Sequence, residues 1–157
     1  MRALIKMDDD EVAAFLASGF RAHVSTVRKD GTPHVVPMTY VLVDGEIAFW
    51  ADNGSQKMVN LTNDPRVSVV VDDGLEFQEL RGVQVTGTAT LHPDAGTNER
   101  IADLFALKAP EEQREAAKSM LLALAAERTA VIVHPTRVAS WDHTKLGGGA
   151  RAQDLGR

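Results

Sequence analysis

A chain of 157 residues, 44% hydrophobic and 25% charged, has the makeup of one ordinary globular domain. At that length roughly 70% of the unfolded surface is buried, so no covalent or metal staple is needed. There is no cysteine, which excludes a disulfide framework, thiolate metal sites, iron–sulfur clusters and a cysteine nucleophile. The net charge of -5 disfavours nucleic acid, whose binding is driven by counterions released against a positive surface.

The first residues run into Asp8-Asp9-Asp10 without the apolar core of a signal peptide. The longest apolar run, Met120 to Ala126, is too short to cross a bilayer, so the chain reads as cytoplasmic with no membrane partner. Asp8 with Glu11 is a capping-box pattern that opens a helix. Val12, Phe15 and Leu16 share its inner face, and Gly19 is expected as its left-handed stop.

Arg21 to Arg28 reads as a strand, turned by Lys29-Asp30-Gly31 into a second strand from His34 to Val43. Asp44-Gly45 is a two-residue hairpin signal, returning Glu46 to Ala51 as the third strand. A short helix is expected from Ser55 to Leu61, ended by Asn63-Asp64-Pro65. Arg66 to Val71 is valine-rich and reads as a strand buried on both faces or nearly so.

Leu80 to Leu91 alternates, with Val83, Val85, Gly87 and Ala89 on one side and Gln84, Thr86, Thr88 and Thr90 on the other. Two helical stretches follow. The first holds Ile101, Leu104, Phe105 and Leu107, and the second runs from about Glu111 to Glu127. Thr129 to Trp141 is the last strand, bent near Pro135, and residues 147–157 read as a loose tail. Hairpin-linked strands with helices inserted late predict the α+β class, mainly β: one domain over residues 1–157, an antiparallel sheet closed into a small barrel with flanking helices.

The histidines are scattered, and no spacing among them fits a metal-ligand pattern. His23, His92 and His134 read as surface or strand-end residues. No serine sits in a Gly-x-Ser-x-Gly elbow, and Gly147-Gly148-Gly149 precedes no helix, so neither a hydrolase nor a dinucleotide fingerprint is present. The turn at Asp52-Asn53-Gly54 is different. There a strand ends and a helix begins, with free amides and a dipole that attract anions, and Lys57 stands in the first turn. Lysine is disfavoured at that end of a helix, so it is either an anion ligand or a solvated side chain.

A second constellation is Ser140-Trp141-Asp142-His143-Thr144-Lys145-Leu146, where Trp141 could cover a planar ligand, meet a partner subunit, or plug the barrel. Met38, Thr39 and Tyr40 could line a cavity or belong to the core.

Three stretches taken in order resemble the pyridoxamine 5'-phosphate oxidase-like flavin proteins. They are Gly31-Thr32-Pro33-His34, Ser55-Gln56-Lys57-Met58-Val59-Asn60-Leu61 with Asn63-Asp64-Pro65-Arg66-Val67, and Arg81-Gly82-Val83-Gln84-Val85-Thr86-Gly87. The ending Ser-Trp-Asp-His-x-Lys-Leu resembles the actinobacterial branch that uses the deazaflavin coenzyme F420. The resemblance implies a split β-barrel working as a homodimer, with two cofactor sites at the subunit interface.

Carried over by position, Lys57 with Ser55 and Gln56 would hold the cofactor phosphate. Val36, Pro37, Met38, Thr39 and Tyr40 would run beneath its ring. The backbone of Trp50 and Ala51 would meet the pyrimidine edge, and Trp141 and Lys145 would reach over from the partner subunit. Asn60 and Arg81, in the same motifs, complete the cofactor-binding set. The oxidases proper have an arginine at Gln56, a lysine near Val41 and a glutamine at Gly82, together with a C-terminal Arg-x-His-Asp-Arg segment. This chain has none of these, so a vitamin B6 substrate is not expected.

The resulting expectation is an F420-dependent oxidoreductase that passes a hydride to an unsaturated small-molecule acceptor. FMN with flavin reductase or oxidase chemistry is the first alternative. A non-enzymatic binder of flavin, haem or another tetrapyrrole is the second. No catalytic residue is assigned, and Tyr40 and His143 are the only candidate proton donors.

Overall fold

The computed structural model describes residues 1–147; the expected tail from residue 148 onward lies outside them. Its frame is an antiparallel seven-stranded sheet. The strands are β1 (Arg21–Val27), β2 (Pro33–Thr39), β3 (Val41–Val43), β4 (Glu46–Asp52), β5 (Arg66–Asp73), β6 (Arg81–His92) and β7 (Arg128–Asp142). They lie in the order β2-β1-β5-β6-β7-β4-β3. The helices are α1 (Asp9–Ser18), α2 (Gln56–Asn63), α3 (Ala95–Ala106) and α4 (Arg114–Ala125), with single 3₁₀ turns at Phe77–Glu79, Glu111–Gln113 and His143–Leu146. Among the described residues no helix is long and apolar enough to cross a membrane.

The two edge strands are one stretch of chain. β2 pairs with β1 along its length, from Pro33 opposite Val27 to Thr39 opposite Arg21. Tyr40 then donates its N–H to Phe20 O, and β3 pairs with β4 instead. The single strand expected over His34 to Val43 is therefore bent at Tyr40, and the sheet curls into a barrel at that point.

Alternation within the strands fills the interior. Val24, Phe49, Val69, Val83, Val131 and Val133 are fully buried, each worth roughly 1.5–3 kcal/mol of burial. A second apolar cluster lies outside the barrel, where Val41, Val43, Trp50 and Ile132 meet Ile101, Ala102 and Ala125 of the paired helices α3 and α4. Hence β4, and β7 from Thr129 to Val133, are covered on both sides. β5, expected to be so, is not. Val67, Val69 and Val71 are buried, while Ser68 and Val70 are only half-buried on the outer face.

Local signals explain the remaining geometry. Asp8 accepts from the Glu11 N–H while the Glu11 carboxylate accepts from the Asp8 N–H, the expected capping box. Asp44 and Gly45 both have positive φ, as their tight hairpin requires. β7 bends as expected, and the ladder with β6 shifts register so that Thr86 meets Arg137 while Gly87 meets Pro135, leaving Thr136 over as a bulge.

Gly19 corrects a sequence expectation, because its φ of -75° is not left-handed. Glycine is needed there for space. A Cβ would fall 2.1 Å from the Tyr40 hydroxyl, which donates to Leu16 O at 2.6 Å. The end of α1 is thus locked onto the bend that closes the barrel.

Candidate functional site

The barrel is open beside β4. β3 accompanies β4 only as far as the pair Val41–Ala48, so Phe49 to Asp52 have no strand on that side. Asn53 N–H donates to Glu127 O at 3.2 Å, and an antiparallel ladder alternates its bonding direction residue by residue. Ala51 and Phe49 therefore face β7 with their amides and carbonyls, while those of Trp50 face the gap. Asp52 also faces away from β7, and its carbonyl accepts from the Ser55 N–H and Oγ, folding the chain into the turn before α2.

Beside the gap, α2 turns Met58, Asn60 and Leu61 inward. Its hold is polar as well as apolar. Gln56 Nε2 donates to Asn60 Oδ1 at 2.8 Å, and Asn60 Nδ2 donates to Thr26 Oγ1 at 2.9 Å, both Asn60 and Thr26 being buried. Asn60 therefore positions the helix, its bonding groups engaged within the protein.

The start of α2 keeps groups in reserve. Ser55 occupies the cap position, but its hydroxyl donates to Asp52 O and does not accept from the helix. The first helical amides to find an acceptor are those of Met58 and Val59, both on Ser55 O. The N–H groups of Gln56 and Lys57 thus point out of the helix without a partner among the described residues, as the first turn of any helix leaves them. Lys57 is half-buried, and its ammonium makes no ion pair or hydrogen bond among the described residues. Opposite Thr26 across the ladder lies His34, whose Nδ1 is buried with no hydrogen-bond partner among them. Two free amides, a free ammonium and an orphaned imidazole nitrogen near the anchor of the same helix make a cradle suited to an anion.

The other expected residues are placed differently. On β2, Val36 and Met38 are half-buried on the inner side, while Pro37 and Thr39 are exposed on the outer side. Tyr40 is buried with its hydroxyl donating to Leu16 O, and that burial pushes its pKa up to about 12, so its proton is held within the fold. The Trp50 ring turns away from the gap, donating Nε1–H to Asn98 Oδ1 at 2.8 Å and packing 5.5 Å from Phe105.

Arg81 makes a two-pronged bond to Asp73 and lies over the Phe15 ring, and the Asp73 carboxylate raises the guanidinium pKa. Lys145 is held by the Glu11 carboxylate and Lys6 O. His143 Nδ1 bonds to Phe77 O at 2.7 Å.

Trp141 does not plug the barrel. It lies opposite Gly82 on the outer face of the sheet, so close that a Cβ on Gly82 would fall 2.0 Å from the ring. The glycine that replaces the oxidases' glutamine is the seat of this tryptophan.

One cluster was not visible in the sequence. His134 Nδ1 lies 3.0 Å from Glu46, and Thr90 Oγ1 lies 2.7 Å from both His134 Nε2 and His92 Nε2. β4, β6 and β7 bring these residues together from distant positions, so no spacing rule could find them. Among the described residues no group of three or more histidine, aspartate or glutamate side chains is arranged to hold a metal.

The sequence pattern of the pyridoxamine 5'-phosphate oxidase family matches residues 8–141. The chain belongs to this family. It is similar over 97% of its length, at 33% identity and a TM-score of 0.83, to 95% of the conserved hypothetical protein Rv2991 from Mycobacterium tuberculosis. An F420 reductase shares 24% identity over 80% of this chain and 94% of its own, with a TM-score of 0.59. HutZ, the haem storage protein of Vibrio cholerae, shares 12% identity over 85% of this chain and 96% of its own, with a TM-score of 0.65. At those identities the last two share the fold alone. No curated protein sequence matches. The antiparallel barrel with flanking helices is thus the family's split barrel, a fold on which both a reductase and a haem store are built.

Proposed function

We propose that the chain is a deazaflavin-dependent oxidoreductase that binds coenzyme F420 in the α2 cradle and acts as a homodimer on an unsaturated small-molecule acceptor. The observation that carries this reading is the unpartnered Lys57 ammonium beside the free amides of Gln56 and Lys57. Together they fit a phosphate. The backbone of Trp50, facing the gap, fits the hydrogen-bonding edge of a planar heterocycle, and Val36 and Met38 on the inner side of β2 offer an apolar floor.

When bound, the deazaflavin supplies hydride chemistry. The protein binds and orients it, and no nucleophile of its own is required. Arg81 and Lys145 already have carboxylate partners within the chain, so their charges are not assigned to the cofactor. Trp141 stays in the proposal as an exposed-face aromatic that meets the second subunit.

F420 is favoured over FMN because Gln56 and Gly82 stand where the flavin oxidases carry an arginine and a glutamine. Gln56 is tied to Asn60, and Gly82 is filled by Trp141. A non-enzymatic flavin or haem binder on this barrel is the second reading, favoured by the likeness in fold to HutZ. Titration of the purified protein with F420 and with FMN, followed by fluorescence, separates them. The expected result is saturable binding of F420 and at least tenfold weaker binding of FMN. Sedimentation of the loaded protein as a dimer is expected alongside. Preference for FMN, or for haemin, overturns the assignment.

A further inference from the structure

The inner side of β2 carries one polar side chain among apolar ones. His34, Val36 and Met38 alternate onto that side, opposite Thr26, Val24 and Ala22 of the buried face of β1. Val36 and Met38 suit a flat ring. His34 instead brings Nδ1, a buried nitrogen with no hydrogen-bond partner among the described residues. A buried polar atom left without a partner is destabilising, so one kept beside a ligand site points to a ligand group that meets it.

The ladder fixes where along the site this nitrogen stands. Directly opposite residues share a face, so His34 neighbours the Thr26 hydroxyl that accepts from Asn60. Asn60 lies one helical turn beyond Gln56, roughly 5 Å along the axis from the free amides at the start of α2. Val36 lies two residues beyond His34, roughly 7 Å along the strand. The imidazole therefore stands between the anion-binding end of the site and its apolar floor. It is half-buried on an edge strand, within reach of a ligand laid along β2.

The chemistry of Nδ1 narrows the ligand group. A phosphate oxygen only accepts, so it would require the hydrogen to sit on Nδ1. A hydroxyl both donates and accepts, so it satisfies Nδ1 in either tautomer. Phosphate oxygens already have the Lys57 ammonium and the amides of Gln56 and Lys57 to meet. Between its ring and its phosphate, F420, like FMN, carries a ribityl chain of hydroxyls.

We propose that His34 recognises this polyhydroxylated chain, the ring turning on its side-chain bonds so that Nδ1 forms a hydrogen bond with a chain hydroxyl. The inference rests on the cofactor reading above and extends it to the segment between ring and phosphate.

The test is fluorescence titration with F420 and with its phosphate-free core, the ring bearing the ribityl chain alone. His34→Leu keeps an apolar filler but removes the nitrogen, and is expected to weaken both ligands roughly two- to tenfold. His34→Asn, whose amide stands near the place of Nδ1, is expected to recover most of that loss. Lys57→Ala is expected to weaken F420 only. In the wild type the Nδ1 resonance of His34 is expected to move with the phosphate-free core and not with inorganic phosphate, which decides the matter if the variants fail to fold. Affinity for the core that the wild type and His34→Leu share, or lack, alike overturns the inference while the F420 reading stands, and so does an unmoved resonance. Binding of FMN in place of F420 overturns that reading alone, and riboflavin then replaces the core in the same series. Binding of neither cofactor overturns both.

Discussion

The mouth of the barrel at α2 and the C-terminal turn after Trp141 both carry lysines that the motifs assign to the cofactor, yet the fold treats them in opposite ways. At α2, Lys57 and the first two helical amides have no partner among the described residues. At the C-terminus, Lys145 is bound to Glu11 and Lys6, Asp142 accepts from Thr144, and His143 bonds to Phe77. A motif gives the residue type; only the fold says whether its bonding capacity is already engaged. Groups left over in a folded protein are the ones able to meet a ligand, so the first region is read as a site and the second as a clasp.

The largest effect is expected where the leftover charge is removed. Lys57→Ala deletes a charge-assisted contact worth about 1.5–3 kcal/mol, so F420 affinity is expected to fall roughly ten- to a hundredfold with the melting temperature unchanged. Binding titration together with a thermal melt checks both halves. Next is the clasp. Gly82→Gln drives a side chain into the Trp141 ring and is expected to cost about 1–3 kcal/mol in a urea melt. Adding Trp141→Ala is expected to restore most of that loss, and no restoration would show that the two positions do not share one space.

A third change tests the bend that opens the mouth. Tyr40→Phe leaves Leu16 O without its donor and is expected to cost about 1–2 kcal/mol. Burial raises the Tyr40 pKa to about 12 from the usual 10.0, so the folded state holds its proton more tightly than the unfolded chain. That contribution is complete below pH 10 and is lost as pH rises from about 10 to 12. Chemical denaturation across this window is expected to show the loss in the wild type, and a smaller loss in Tyr40→Phe. The smallest effect belongs to Lys145→Ala, a partly exposed pair whose removal is expected to cost under about 1 kcal/mol and to leave cofactor affinity alone.

Much of the frame was legible in the sequence because it rests on local signals. The Asp8–Glu11 box, the Asp44-Gly45 hairpin and the alternation of Val83, Val85, Gly87 and Ala89 each depend on residues close together in the chain. What was not legible depends on distant pairs. Gly19 reads as a helix stop until Tyr40 arrives from the barrel bend to occupy its missing side chain. β5 looks doubly buried because it is rich in valine, but the helices cover β4 and β7 instead.

The candidate site divides in the same way. The unpartnered start of α2 follows from a turn and one helical turn after it, so Ser55 to Lys57 could be singled out directly. The commitments of Arg81 to Asp73, of Lys145 to Glu11 and of His134 to Glu46 span the fold. No spacing announces them.

The account rests on α2 being the ligand-binding region and the C-terminal turn being structural. Fluorescence titration of F420 into the wild type, Lys57→Ala and Lys145→Ala, run side by side, tests this most directly. The account predicts that Lys57→Ala alone loses affinity, by about tenfold or more. Equal losses in both variants, or a loss in Lys145→Ala only, would contradict it.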